Sequence, residues 1–210
     1  INTLSAALSV WEQGQVPILV DEAAACVKTL SPDIVVDAII AKKNLGTNMD
    51  MAPLTIALGP GFTAGKDVHA VVETKRGHNL GRIIKAGSAA PNSGVPGIIG
   101  GFGKERVLHA AAEGSLHIVQ DIGSIVAKGQ LIAEITDMEG KVTSVTASLS
   151  GIIRGMIREG FWVTKGFKIA DIDPRQEELA NCFTISDKAR CIAGSVLELV
   201  CRYATEQNKN

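Results

Sequence analysis

Seven positions in the second half of the chain recur after 37 residues. Gly114, Gly123, Val126, Lys128, Gly129, Ile132 and Ile135 return as Gly151, Gly160, Val163, Lys165, Gly166, Ile169 and Ile172. Written out, Gly-Ser-Ile-Val-Ala-Lys-Gly-Gln-Leu-Ile-Ala-Glu-Ile becomes Gly-Phe-Trp-Val-Thr-Lys-Gly-Phe-Lys-Ile-Ala-Asp-Ile. Each copy reads as a strand, a glycine turn, a short strand, a second glycine turn and a third strand. Neither copy can bury its apolar face alone, so the two are expected to pack on each other. The expectation is one β unit with approximate two-fold symmetry over residues 106–173, with Gly129 and Gly166 at equivalent turns and positive φ.

Two such halves resemble the biotinyl/lipoyl-type barrel-sandwich hybrid. In that family a carrier lysine sits on the hairpin joining the halves, usually between two methionines. Here the join reads Thr136-Asp137-Met138-Glu139-Gly140-Lys141-Val142, about one residue longer, and the attachment context is absent. The resemblance therefore implies a structural domain without a swinging arm, with neither biotin nor lipoate on Lys141.

At 210 residues the chain can hold one large domain or two modest ones. Its 21 basic and 22 acidic side chains nearly cancel, so no basic surplus points to nucleic acid or a charged membrane surface. No apolar run approaches the ~20 residues that span a bilayer, and no secretory leader is visible. A cytoplasmic location is expected, with Cys26, Cys182, Cys191 and Cys201 as reduced, small core thiols. The last three lie 9 and 10 residues apart, which matches no common zinc spacing, and no metal site is expected.

The first half alternates helix and strand. Residues 2–13 read as a helix with Leu4, Ala7, Leu8 and Trp11 on one stripe, and residues 17–20 as a short buried strand. A helix over 22–30 and strands over 33–40, 54–58, 68–74 and 81–86 follow. This pattern predicts an α/β fold, partly Rossmann-like with a mostly parallel sheet, over 1–105 and incomplete at its N-terminus. The Gly/Pro-rich stretch 87–105 reads as the connection to the all-β unit of 106–175. In 176–210, Ser186 caps a helix over 187–203 with Ile192, Val196, Leu199 and Val200 as its core stripe, packing on the α/β part.

Four polar segments stand out. Asp37, Lys42, Asn44 and Thr47 follow a strand, where ligands bind in parallel sheets; the alternative is a solvated loop. Gly59-Pro60-Gly61-Phe62-Thr63-Ala64-Gly65 follows another, and its backbone N–H groups could converge on an anion; a tight structural turn is as good a reading, and the glycine spacing is not that of a P-loop. In Glu73-Thr74-Lys75-Arg76-Gly77-His78-Asn79-Leu80-Gly81-Arg82, Arg76 could clamp an anion, while Glu73 and His78 could do acid–base work if they converge; a charged hairpin is the alternative. Asp187 and Lys188 open the last helix as ligand contacts or as caps.

Together, Asp-Ala-Ile-Ile-Ala-Lys-x-Asn-x-Gly-Thr, Gly-Pro-Gly-Phe-x-Ala-Gly, Glu-Thr-x-Arg-Gly-His-x-Leu-Gly-Arg, Gly-x-Pro-Gly and Ile-Ser-Asp-Lys-Ala-Arg resemble the YqeB-type accessory proteins of the selenium-dependent molybdenum hydroxylase system. The resemblance runs over residues 17–199 and lacks the family's Gly-rich N-terminal segment. It implies a role in maturing or supplying a molybdenum hydroxylase, with that enzyme or its maturation machinery as partner. The ligand would be anionic: a nucleotide, a molybdopterin phosphate or a selenium donor. Two other functions remain open from the residues. One is an enzyme acting on a phosphorylated small molecule, with Glu73 or His78 as base; the other is a non-catalytic interaction module, with oligomerisation possible.

Overall fold

The computed structural model describes residues 1–209, which divide into two compact units: 1–92 with 187–209, and Ser93–Ser186. The first boundary lies before the expected one at 105/106. Ile99 and Phe102 exchange backbone hydrogen bonds, and the buried Arg106 guanidinium donates to the Gly97 carbonyl, so these residues join the β unit. The last boundary lies later than 175/176. The 3-10 stretch Gln176–Phe183 belongs with the β unit, where Arg154 donates to the Asn181 carbonyl.

The first unit contains α1 (Leu4–Glu12), α2 (Ala25–Leu30), β1 (Ile34–Asp37), β2 (Leu54–Leu58), β3 (Thr63–Ala64), β4 (Ala70–Val72), β5 (Ile83–Ile84), β6 (Gly87–Ser88) and α3 (Asp187–Gln207). Its main sheet has the order β1-β2-β4-β5. β1 and β4 both pair parallel to β2, while β5 turns back antiparallel on β4. β2 is apolar on both faces because both are covered. Ile56 packs with Ala70, Val72, and Ile192 and Leu199 of α3; Ala57 packs with Phe62, Val68 and Val71 on the other face. Ile192 and Leu199 are seven residues apart, two helical turns on one stripe, and burying each contributes about 1.5–3 kcal/mol.

Several expectations for this unit fail. Residues 17–20 form no strand: Val16, Ile18 and Val20 are 91%, 80% and 68% exposed, and only the Val20 N–H and the Ile18 carbonyl are tied, both to Ile1. The stripe of α1 buries Ala7 alone, leaving Leu8 and Trp11 exposed. The cysteines are not core thiols either. Cys26 and Cys182 are half-buried, Cys191 and Cys201 exposed, because both α3 cysteines lie off the buried Ile192–Leu199 stripe.

The second unit contains β7 (Val107–His109), β8 (Gly114–Ile118), β9 (Ile125–Val126), β10 (Leu131–Thr136), β11 (Val142–Thr146), β12 (Gly151–Met156), β13 (Trp162–Val163) and β14 (Lys168–Asp173). Its two sheets have the orders β11-β10-β8-β13 and β7-β14-β12-β9. Advancing every strand of one sheet by one repeat generates the other. Each half thus lends its short second strand to the other half's first strand: β9 pairs β12, and β13 pairs β8. The repeat also extends to β7 and β11. Gly129 and Gly166 have φ of +84° and +85°, and donate to the carbonyls of Ala147 and Ala110 at 2.8 Å each. Core residues come in pairs: Leu116 with Ile153, Val126 with Val163, Ile132 with Ile169, Ile135 with Ile172. A side chain at Gly114 would strike the Thr136 carbonyl, and one at Gly151 the Asp173 carbonyl, so both strand starts demand glycine.

At the join, Asp137 Oδ1 accepts from the N–H groups of Glu139 and Lys141, and Gly140 supplies φ +81°. Lys141 lies exposed on this turn. Among the described residues, no helix is long and apolar enough to cross a membrane.

Candidate functional site

Three loops leave the carboxyl ends of the parallel strands: 38–47 after β1, 59–62 after β2 and 73–82 after β4. They carry most of the candidate residues, because side chains at this edge are free of the ladder.

In the first loop, Asp37 is a buried organiser rather than a ligand contact. Its Oδ1 accepts from the Ile39 N–H at 3.1 Å and its Oδ2 from the Thr47 hydroxyl at 2.6 Å. Asn44 is spent likewise: its amide donates to the Thr47 carbonyl at 2.8 Å, and its Oδ1 accepts from the Gly46 N–H at 2.7 Å. Asp37, Asn44 and Thr47 therefore shape the loop. The loop buckles at Ile40 and Lys42, which hold φ of +59° and +63° without being glycines, a conformation costing about 1–2 kcal/mol per residue. Lys42 is exposed at this buckle.

The glycine loop meets the first loop directly. A Cβ on Gly61 would lie 2.6 Å from Lys43 Cα and 2.7 Å from its nitrogen, so the two backbones are in contact. A Cβ on Gly59 would lie 2.6 Å from Thr74 Oγ1, which brings in the third loop. The expected cradle of N–H groups is smaller than the motif implied. Gly59 donates to the Val72 carbonyl, Gly65 to the Val68 carbonyl, and Thr63 to the Asp67 carboxylate. The Thr63 hydroxyl meets Ser88 Oγ at 3.0 Å. Among the described residues, the Gly61 N–H in this loop lacks a protein acceptor, while the Phe62 N–H closes the turn over Pro60 and Gly61.

The third loop overturns the acid–base pair. Glu73 is 5% exposed, and both oxygens accept backbone N–H groups, Oε1 from Lys75 and Oε2 from Ala90, each at 2.7 Å. It ties the hairpin to the end of the unit, with each oxygen turned to a backbone donor and little surface left for a substrate. His78 is exposed and not bonded to it. Arg76 does clamp a carboxylate bidentately, but the carboxylate is that of Asp187, at 2.8 and 3.0 Å. The Arg76 hydrogen bonds, then the Lys188 N–H, hold the Asp187 carboxyl down at about 2. Two candidate contacts thus satisfy each other. Lys188 follows, half-exposed.

The structure therefore brings together Lys42, Gly59, Gly61 and, through Thr74, the Arg76 segment. It removes Glu73 and His78 as a catalytic pair. Thr74 as the partner of Gly59, and His69 at the other end of β4, carried no signal in the sequence, because both act through strand register. Among the described residues, no three His, Cys, Asp or Glu side chains gather to hold a metal ion.

No protein-family model matches the chain. Structural likenesses to solved proteins are weak and carry no weight; two serve as examples. One is the ectoine utilization protein EutE (DoeB) of Ruegeria pomeroyi, at 15% identity over 72% of this chain and 52% of that one, TM-score 0.32. The other is a succinylglutamate desuccinylase/aspartoacylase of Rhodobacter sphaeroides, at 19% identity over 32% and 22%, TM-score 0.28. In sequence, the chain is 50% identical over 192 residues to the uncharacterized protein YqeB of Escherichia coli strain K12, covering 91% of this chain and 34% of YqeB. Half-identity across nine tenths of its residues makes the chain a relative of YqeB, of whose length it spans about a third.

Proposed function

We propose that this chain binds a small anionic ligand at the carboxyl edge of its parallel strands and serves, as an accessory protein, a selenium-dependent molybdenum hydroxylase. The ligand is a nucleotide or a molybdopterin-type phosphate. The observation that supports binding is the backbone contact of Gly61 with Lys43. It sets one uncommitted N–H donor, that of Gly61, beside the Lys42 buckle. Uncharged backbone donors next to a cation are what an anion site requires. Arg76 supplies a second cation once the ligand competes it away from Asp187, whose carboxylate occupies the guanidinium fork otherwise. The accessory role rests on the quoted motifs and on the likeness to YqeB. An enzyme working on a phosphorylated molecule fits less well, because Glu73 is committed to backbone.

Titration calorimetry with pyrophosphate and with AMP tests the site. Charge-assisted bonds contribute about 1.5–3 kcal/mol, so Arg76→Ala weakens binding about tenfold or more. Asp187→Asn removes the competitor and tightens it. Unchanged affinity in both variants refutes the site. For the accessory role, the measurement is the selenium and molybdenum content of the hydroxylase purified from cells lacking the gene. Normal content with normal activity refutes it.

A further inference from the structure

A cavity of about 860 Å³ opens at the other end of the sheet, where the parallel strands begin. α2, the turn Met49–Met51 and His69, just before β4, form its walls. Val27, Met49 and Met51 make it largely apolar, and Lys28 stands exposed on α2.

His69 is held here in one tautomer. The backbone N–H of Thr55 donates to its Nδ1 at 3.0 Å, and the Thr55 hydroxyl lies 2.9 Å from the same nitrogen. A backbone N–H can only donate, so Nδ1 is an acceptor, and the neutral ring carries its proton on Nε2. Thr55 is fully buried, and the His69 N–H returns to the Thr55 carbonyl at 3.0 Å, so sheet register fixes the ring. Among the described residues no group accepts from Nε2. A fixed donor on the wall of an apolar cavity of this size is the usual arrangement for a small ligand bearing one acceptor group. Lys28 favours an acceptor with negative charge. Asp50, the one carboxylate on the wall, opposes a second charge. The methionines offer pliable walls for a flat or branched body.

We infer that this cavity binds a small apolar monocarboxylate, an aromatic or branched-chain acid. Its carboxylate accepts from His69 Nε2–H beside Lys28, and its body lies on Val27, Met49 and Met51. This site is independent of the anion site at the opposite strand ends and uses none of its residues.

Saturation-transfer NMR and calorimetry on the full chain test it, with phenylacetate, isovalerate, the neutral phenylacetamide and inorganic phosphate as probes. The two carboxylates are expected to bind saturably at millimolar concentration, phenylacetamide more weakly, and phosphate should not compete. His69→Phe keeps the ring and removes the donor; it should weaken phenylacetate about tenfold, the loss of one hydrogen bond to a charged group. Lys28→Gln, on an exposed position that leaves the fold intact, should weaken phenylacetate while sparing phenylacetamide. The inference is overturned if neither carboxylate saturates, if phosphate displaces them, or if the Lys28→Gln chain binds phenylacetate as tightly as the parent.

Discussion

Replacing Gly61 by alanine probes the contact on which the anion site depends, and Gly77 supplies the control. Both glycines have strongly positive φ, +109° and +126°. Alanine at either position therefore meets the same kind of backbone penalty, about 1–2 kcal/mol, partly offset by a stiffer unfolded chain. They differ in surroundings. A Cβ at Gly77 meets nothing within 4 Å, whereas one at Gly61 lies 2.6, 2.7 and 2.9 Å from Cα, N and C of Lys43. Carbon contacts relax at roughly 3.5–4.0 Å, so the two loops must part by about 1 Å. The Lys43 loop resists, because Asp37, Asn44 and Thr47 bond it internally. Such overpacking costs about 1–3 kcal/mol. Gly61→Ala should thus be less stable than Gly77→Ala by about that amount. Native-state hydrogen exchange read by mass spectrometry should show the loss in residues 38–47, together with weaker pyrophosphate binding. Equal stability of the two variants, with equal protection of 38–47, would refute the loop contact and the site built on it.

Other outcomes follow from the β unit. Burial pushes the Asp173 carboxyl up, but hydrogen bonds from the Arg175 side chain and backbone, and from Arg154, outweigh it and hold the pKa at about 2, on a side chain 1% exposed. Against an unfolded value of 3.8, that depression stabilises the fold by about 2–3 kcal/mol at neutral pH; the contribution is complete above the unfolded value and is lost as pH falls through about 2. Urea unfolding followed by Trp162 in a Trp11→Phe background should show Asp173→Asn less stable at pH 7, with roughly half that gap left at pH 3; a gap unchanged at pH 3 contradicts the linkage. Gly114→Ala and Gly151→Ala should destabilise the unit by similar amounts, because each Cβ strikes the equivalent carbonyl; a mild effect at one site alone would break the symmetry argument. Lys141 should show the unmodified mass when the protein is made in a host with active biotin and lipoate ligases, and an added mass mapped to Lys141 would overturn the carrier-free reading.

The polar segments show where reading the chain as a string stops working. Glycines at 59 and 61, after a buried strand, promised backbone donors, and the Gly61 N–H of that loop is uncommitted. Asp37, Asn44 and Thr47 looked like ligand contacts because polar residues after a strand look alike whether they bond a ligand or their own loop. Glu73 and His78 looked like an acid–base pair because both sit on one hairpin, yet one carboxylate is consumed by backbone while the imidazole faces solvent. The exposed Val16, Ile18 and Val20 show the same limit for strands: alternation of apolar residues does not create a partner to pair with.

What this sequence determines alone is periodic and local. A 37-residue repeat carrying glycines at fixed places can bury its apolar face only against its own copy, so the β unit is legible in the sequence. The buried strands of the α/β unit were legible for a similar reason, since β2 has no polar face to offer solvent. Tertiary structure alone decided which groups spend their hydrogen bonds on each other. Arg76 meets Asp187 across 111 residues, Lys43 meets Gly61 through neighbouring strand ends, and Thr55 locks His69 by register. These pairings depend on where separate segments converge in space, and a carboxylate or an N–H is free for a ligand only when no nearer protein group has taken it.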